Sequence, residues 1–234
     1  MADPAADKKA QSRLKALVMV AALPLIVTVV AVFGGQFGLF DVETARGLLV
    51  LTVVRGLVFV ALFAALAAVL IARADIRDRG VWALAALVLA AGSALIFFTQ
   101  AAKAAPGPND VTTNPADPPA LSRQLMSART AANAAPLGES VACEGLEALP
   151  TQVAPEVAGW AVRQAGFNVI GFAAFRAEGD RDGYFFGLGH DAVVRIRPGR
   201  TDVRVIARYD QPQGDTACRL ARRILDEMTS QASR

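Results

Sequence analysis

The chain has one histidine, two cysteines, two tryptophans and two tyrosines in 234 residues. A single histidine, His190, leaves no His-x-x-x-His pair, and Cys143 and Cys218 form no Cys-x-x-Cys. The usual spacings of zinc sites are therefore missing. No Gly-x-Ser-x-Gly elbow is present, and Gly187-Leu-Gly189 lacks the third glycine of a dinucleotide fingerprint. Lysine is also scarce: Lys8, Lys9 and Lys15 precede the first apolar run and only Lys103 follows it. Of the 24 Lys and Arg, nine lie in residues 1–98, with six of the 21 acids; the remaining 15 of each fall in 99–234. Nucleic-acid binding needs a concentrated basic surface that releases counterions. A charge-balanced carboxy-terminal region does not supply one, so no nucleic-acid partner is expected.

What the chain has is apolar length. Three runs lie between Leu14 and Phe98: Ala16–Phe33, a second between Gly47 and Ala72, and Val81–Phe98. A bilayer core about 30 Å thick takes roughly 20 helical residues to cross. The first run contains Pro24, which a membrane helix tolerates when neighbours satisfy the freed carbonyl. A cleaved signal peptide also begins basic and turns apolar, but this core is too long and no small-x-small site follows Phe33. Arg55 is either a boundary residue that snorkels or a buried charge paired with Asp41 or Glu43.

Orientation follows from Lys and Arg. Lys8, Lys9, Arg13 and Lys15 precede the first span, and Arg73, Arg77 and Arg79 separate the second and third. Only Arg46 lies between the first two. Both basic segments are expected in the cytoplasm, and three crossings then place the carboxy-terminal domain outside it. In a Gram-negative bacterium that is the periplasm. The expected organisation is a cytoplasmic tip (1–15), three transmembrane α-helices (16–98), a Pro-rich linker (99–120) and an extracytoplasmic α+β domain (121–234).

Two stretches carry a family resemblance. Asn109-Asp-Val-Thr-Thr-Asn-Pro-Ala-Asp-Pro-Pro119 resembles the opening motif of the bacterial family known as domain of unknown function 1499, commonly Asp-Ile-Thr-Thr-Asp, a spacer, Asp-Pro-Pro and an aromatic. Gly189-His-Asp-Ala-Val-Val-Arg-Ile-Arg197 and Thr201-Asp-Val-Arg204 are similar to its paired strands. Asn114 replaces the usual Asp, Leu121 the aromatic, and His190 a common acid. The family's Ser-Asp-Leu-Gly-x-Asn is not recognisable in Gln213–Cys218. The resemblance implies an envelope-associated domain and no catalytic residues.

Within the domain, Pro155–Ala165 reads as a helix stopped by Gly166. Phe167–Ala177 reads as extended with a bend at Gly171, Gly179–Gly183 as a turn, and Tyr184–Leu188 as a short aromatic strand or arm. Ala192–Arg197 and Asp202–Arg208 read as a hairpin around Pro198-Gly199. Asp215 or Thr216 caps a last helix to about Met228, with Leu220, Ile224 and Met228 as its apolar stripe. An antiparallel sheet with helices packed on one face accommodates this order.

Strand alternation turns Val194, Ile196, Val203 and Val205 to the helices. Arg195, Arg197, Arg204 and Arg208 share the other face. Four guanidinium groups side by side repel unless acids lie among them. Either Asp202, Glu178 or Asp210 neutralises them at a wet surface, or the face takes an anion, a partner's carboxylates or lipid headgroups. Asp110, Asp117 and Asp191 are carboxylates that could gather round a metal, although Asp-Pro pairs ordinarily start turns; neither a metal nor a cofactor is expected. In an oxidising compartment Cys143 and Cys218 are expected to form a disulfide, the alternative being two buried thiols. The preferred reading is a non-enzymatic membrane protein whose domain binds an envelope protein or an anionic headgroup. The alternative is an envelope hydrolase using His190 with Asp191 or the arginine face. A transporter component is the third reading, and spans with little polar lining support it least.

Overall fold

The computed structural model describes residues 4–183, 186 and 188–232 and divides into two units, Met1–Ala102 and Lys103–Arg234. In the first, α1 (Pro4–Gln36) is followed by a π-helical segment (Glu43–Val54) that runs directly into α2 (Arg55–Ala72), and then by α3 (Ile76–Lys103). All three helices are long and apolar enough to cross a membrane. Helix α1 continues through Pro24, where Thr28 Oγ1 donates back to the Pro24 carbonyl at 2.8 Å.

The helices meet through small residues. Ala61, Ala65, Ala68 and Ala72 of α2 are buried with Ala83, Ala86 and Ala90 of α3 and with Leu14 and Ala21 of α1. Larger side chains such as Phe63, Leu66, Val81 and Leu84 face outward. Small residues inside and bulky apolar residues outside are what helix packing in lipid favours. Asp7 near the start of α1 pairs with Arg79 near the start of α3 at 2.7 Å, and Lys15 lies over the Trp82 ring. The two basic segments therefore sit at one end of the helix group. Arg55 lies within the long helix rather than at its boundary, and its side chain is exposed, so the pairing with Asp41 or Glu43 is not made. The buried arginine is Arg46, which the sequence places in a loop and the structure places in the π-helical segment.

The second unit is a five-stranded antiparallel sheet of order β1-β5-β4-β3-β2. Its elements are β1 (Asp110–Thr112), α4 (Arg123–Ala131), α5 (Pro155–Gln164), β2 (Asn168–Ala173), β3 (Arg176–Arg181), β4 (His190–Arg197), β5 (Arg200–Ala207) and α6 (Thr216–Ala232). Strands β4 and β5 are joined by Pro198 and Gly199, with Arg197 opposite Arg200 and Gly199 at φ +70°. Helices α5 and α6 cover one face. Their Ala158, Ala161, Val162, Leu220, Ile224 and Met228 pack on Val194, Ile196, Val203 and Val205. The Cys143–Cys218 disulfide ties the first turn of α6 to the loop after α4, with the two Cα atoms 5.9 Å apart.

Three expectations are corrected. The Pro-rich segment is not all linker: α3 runs to Lys103, and Asp110–Thr112 is an edge strand pairing with Arg204–Ile206. Of the turn expected at Gly179–Gly183, Gly179, Asp180 and Arg181 are instead the second half of β3. Gly179 is there because α5 lies on it: a Cβ would stand 2.7 Å from Val162 Cγ1 and 2.9 Å from the Asn168 carbonyl oxygen. The turn lies earlier, at Ala174-Phe175, which carries no turn-forming residue. The helices are not confined to one face either, because α4 lies against the opposite one through Arg129 and Asp191, after Ser122 N–H donates to Glu178. Of the aromatic arm Tyr184–Leu188, Tyr184, Phe185 and Gly187 lie outside the described residues.

Candidate functional site

The arginine face is built by β3, β4 and β5, whose alternation turns Glu178, Asp180, Asp191, Arg195, Arg197, Asp202, Arg204 and Arg208 the same way. The register sets acid beside base at Arg195, opposite Asp202, whereas it sets two acids side by side at Asp180 and Asp191, which share Arg208. Three carboxylate-centred groups result. Asp110 of β1 holds Arg204, with Nε at 3.0 Å from one oxygen and Nη2 at 2.6 Å from the other. Arg204 also donates to the Pro119 carbonyl, and Ser140 Oγ lies 2.8 Å from Asp110. Asp191, fully buried, accepts from Arg129 of α4 at 2.6 Å and from Arg208 at 2.8 and 3.0 Å. Arg208 reaches Asp180 as well at 3.1 Å.

The third group centres on Asp202, also fully buried, which accepts from Arg195, Arg197 and Arg200. Asp117 closes it from outside, pairing with Arg195 and Arg197 at 3.1 and 3.2 Å. Burial pushes the Asp202 carboxyl up, but hydrogen bonds from Arg200 and Arg195 outweigh it and hold the group below the usual carboxylate range. The same competition runs in reverse at Arg208: burial lowers it, and Asp191 and Asp180 together raise it.

This face is therefore not a wet array of free cations. Arg204 and Arg208 are buried, and Arg195, Arg197 and Arg200 share one carboxylate at the hairpin end. Of the acids expected to neutralise it, Asp202 does, whereas Glu178 pairs with Arg176 and Asp210 receives Asn109. Asp110, Asp117 and Asp191 do not converge; each is held by a different arginine, and among the described residues no group of three His, Cys, Asp or Glu side chains has the arrangement of a metal site. The two sequence stretches that carry the family resemblance meet here, because Asp110 and Asp117 of the first bind Arg204, Arg195 and Arg197 of the second. Sequence reasoning missed Arg129 and Arg200 as members of the network; an Arg on a nine-residue helix carries no signal of its partner.

His190 and Asp191 are not brought together. They are consecutive in β4, so their side chains leave opposite faces, and His190 is buried on the side of α5 and α6. Its Nε2 has no partner among the described residues. Burial and the charge of Arg181 push its pKa down to about 4, against a backbone hydrogen bond at Leu188 and with a further push from Arg208. The folded domain thus keeps a neutral imidazole that the unfolded chain would protonate. This contribution to stability is complete above pH 6.5 and is lost as pH falls toward 4, at a rate of at most about 1.4 kcal/mol per pH unit. The urea midpoint should fall over that window, and His190→Gln should flatten the fall; identical slopes for both proteins would refute it.

Exposed chemistry lies at the sheet edge. Strand β2 is the last in the order, and no strand pairs with its outer side among the described residues. At its end Phe172, Ala173, Ala174 and Phe175 are all exposed, the two phenylalanines by 61% and 58%. They border a cavity of about 330 Å³ with Ser122, Arg123, Arg176 and Glu178, and the Arg176 guanidinium lies 5.6 Å from the Phe175 ring centre. The sequence signal was present in Phe-Ala-Ala-Phe, an apolar stretch without a polar residue, but extended strands read the same way.

No family profile, no curated protein and no solved structure matches the chain.

Proposed function

We propose that this chain is a bacterial inner-membrane protein with its amino terminus in the cytoplasm and its carboxy-terminal domain in the periplasm, where the domain binds another envelope protein without catalysing a reaction. The likeness to domain of unknown function 1499 belongs to the same reading. Support for the placement comes from the three apolar helices, the basic segments gathered at one end, and a disulfide suited to an oxidising space. A phosphatase reporter fused after Arg234 should be active on the extracytoplasmic side, and a green fluorescent protein fused there should stay dark. Activity confined to the cytosol would reject the placement.

One observation carries the binding role: an edge strand, unpaired on its outer side among the described residues, that leads through exposed Phe172 into a turn with exposed Phe175, beside Arg123 and Arg176. An open edge offers backbone hydrogen bonds to an added strand, and aromatic and Arg side chains are the usual energetic centres of interfaces. The carboxylates that could act in chemistry are held by arginines instead. A photo-crosslinking residue at Ala173 should yield a discrete adduct in intact cells. Phe172→Ser with Phe175→Ser should abolish it while the disulfide still forms. An unchanged adduct in that variant would reject this edge as the binding site.

A further inference from the structure

A second cavity, about 450 Å³, lies beside the first half of α6 and is lined by Arg181, Arg219, Arg222, Arg223, Leu220 and Asp226. Three guanidinium groups of α6 border it with Asp226, beside Arg181, which donates to the Ala165 carbonyl. Asp215 engages Arg219 from the helix start, and Arg222 donates to the Glu144 carbonyl. Arg223 has no ion pair or hydrogen bond among the described residues. Unlike the arginines of the opposite face, Arg222 and Arg223 have no carboxylate paired with them among the described residues, and they border an open cavity.

Its place in the chain narrows the ligand. The backbone N–H of Gly214 donates to the Ala105 carbonyl at 2.7 Å, and Gly107 stands so close to Gly214 that a Cβ there would overlap its carbonyl. Residues 105–107 are thus fastened at the base of α6, and Ala105 comes two residues after α3 ends at Lys103. The strands put Arg181 at the same end of the sheet, since it pairs with His190, and His190 with Ala207. By contrast, the Phe172–Phe175 hairpin closes the other end, with Pro198 and Gly199.

We infer that this arginine-lined cavity takes the phosphate of an anionic phospholipid headgroup from the bilayer that holds the chain. Guanidinium groups bind phosphate oxygens in pairs of hydrogen bonds. The amino-terminal end of a 17-residue helix adds favourable dipoles. An anionic lipid surface attracts nearby arginines over about a Debye length. The inference rests on the reading that the three helices span a membrane, but it is indifferent to which compartment holds the domain.

The full chain in nanodiscs tests it, with amide hydrogen exchange over residues 216–223 as the readout. Discs of phosphatidylcholine alone are compared with discs containing phosphatidylglycerol, and with phosphatidylcholine discs plus inorganic phosphate. Phosphatidylglycerol should slow exchange several-fold, inorganic phosphate should leave it unchanged, and the R219Q/R222Q/R223Q variant should exchange at the phosphatidylcholine rate in every disc. Equal slowing by inorganic phosphate would assign the cavity to free phosphate and overturn the lipid source. No slowing with either, or slowing that survives the triple substitution, would overturn the site. Unchanged exchange in β4 and β5 shows that the variant is folded. Failure of the chain to enter discs at all would reject the membrane reading instead, and the two failures are thereby distinct.

Discussion

Replacing Asp191 with Ala should destabilise the domain by about 3–5 kcal/mol, because it leaves buried charge without its counterion. The carboxylate is fully buried and is the meeting point of Arg129 from α4 and Arg208 just after β5. Arg208 would retain Asp180, but Arg129 would keep only the Ala135 and Ala207 carbonyls. Small domains have about 5–15 kcal/mol of stability in total, so the loss is a large part of it. Urea unfolding of the full chain in detergent would measure the effect, followed by Trp160 fluorescence in a Trp82→Phe background. Trp160 packs on the domain core and reports on it alone. A loss below about 1 kcal/mol, the range of exposed ion pairs, would show that water reaches Asp191 and that the network is a surface feature.

Opening the Cys143–Cys218 bridge should have an effect of similar size. The bond spans 75 residues, and loop entropy assigns such a closure about 4.5 kcal/mol, an upper figure because the unfolded chain retains some structure. The loss should appear as a lower urea midpoint in C143S/C218S, and in the native protein after reduction. The bridge anchors α6, whose Ala217, Leu220, Ala221, Ile224 and Met228 are buried in the core. Hydrogen exchange in α6 should therefore rise before exchange in β4 and β5. A reduced protein with unchanged midpoint and unchanged α6 protection would mean that packing alone holds the helix.

These two effects mark how far the chain could be read in one dimension. The helix at Pro155–Gln164, the hairpin at Pro198-Gly199 and the stripe of α6 follow from periodicity and from Gly and Pro positions, all local signals. The bridge between the two cysteines followed from their number and from the oxidising compartment expected for them. The β2–β3 turn did not, since Ala174 and Phe175 lack turn chemistry and the nearby Gly179-Asp-Arg-Asp-Gly183 imitates it. There the glycine answers to Val162 on α5, a contact that no window of the sequence contains. The arginine face was half legible: alternation put four arginines on one side but could not say what lay over them. Arg204 meets Asp110 across 94 residues and Arg129 meets Asp191 across 62.

By itself, the sequence determined the apolar helices, the balance of charge beyond them, the strand alternation and the supply of one histidine and two cysteines. Composition and short periods suffice for each, because they depend on neighbours within a few positions. Only the tertiary structure decided that Asp110, Asp191 and Asp202 are bound by arginines, that His190 and Asp191 face apart, and that Phe172 and Phe175 remain exposed at an open edge. Those outcomes depend on which distant segment covers which face, and burial of a charge is tolerable only where that segment brings the opposite charge with it.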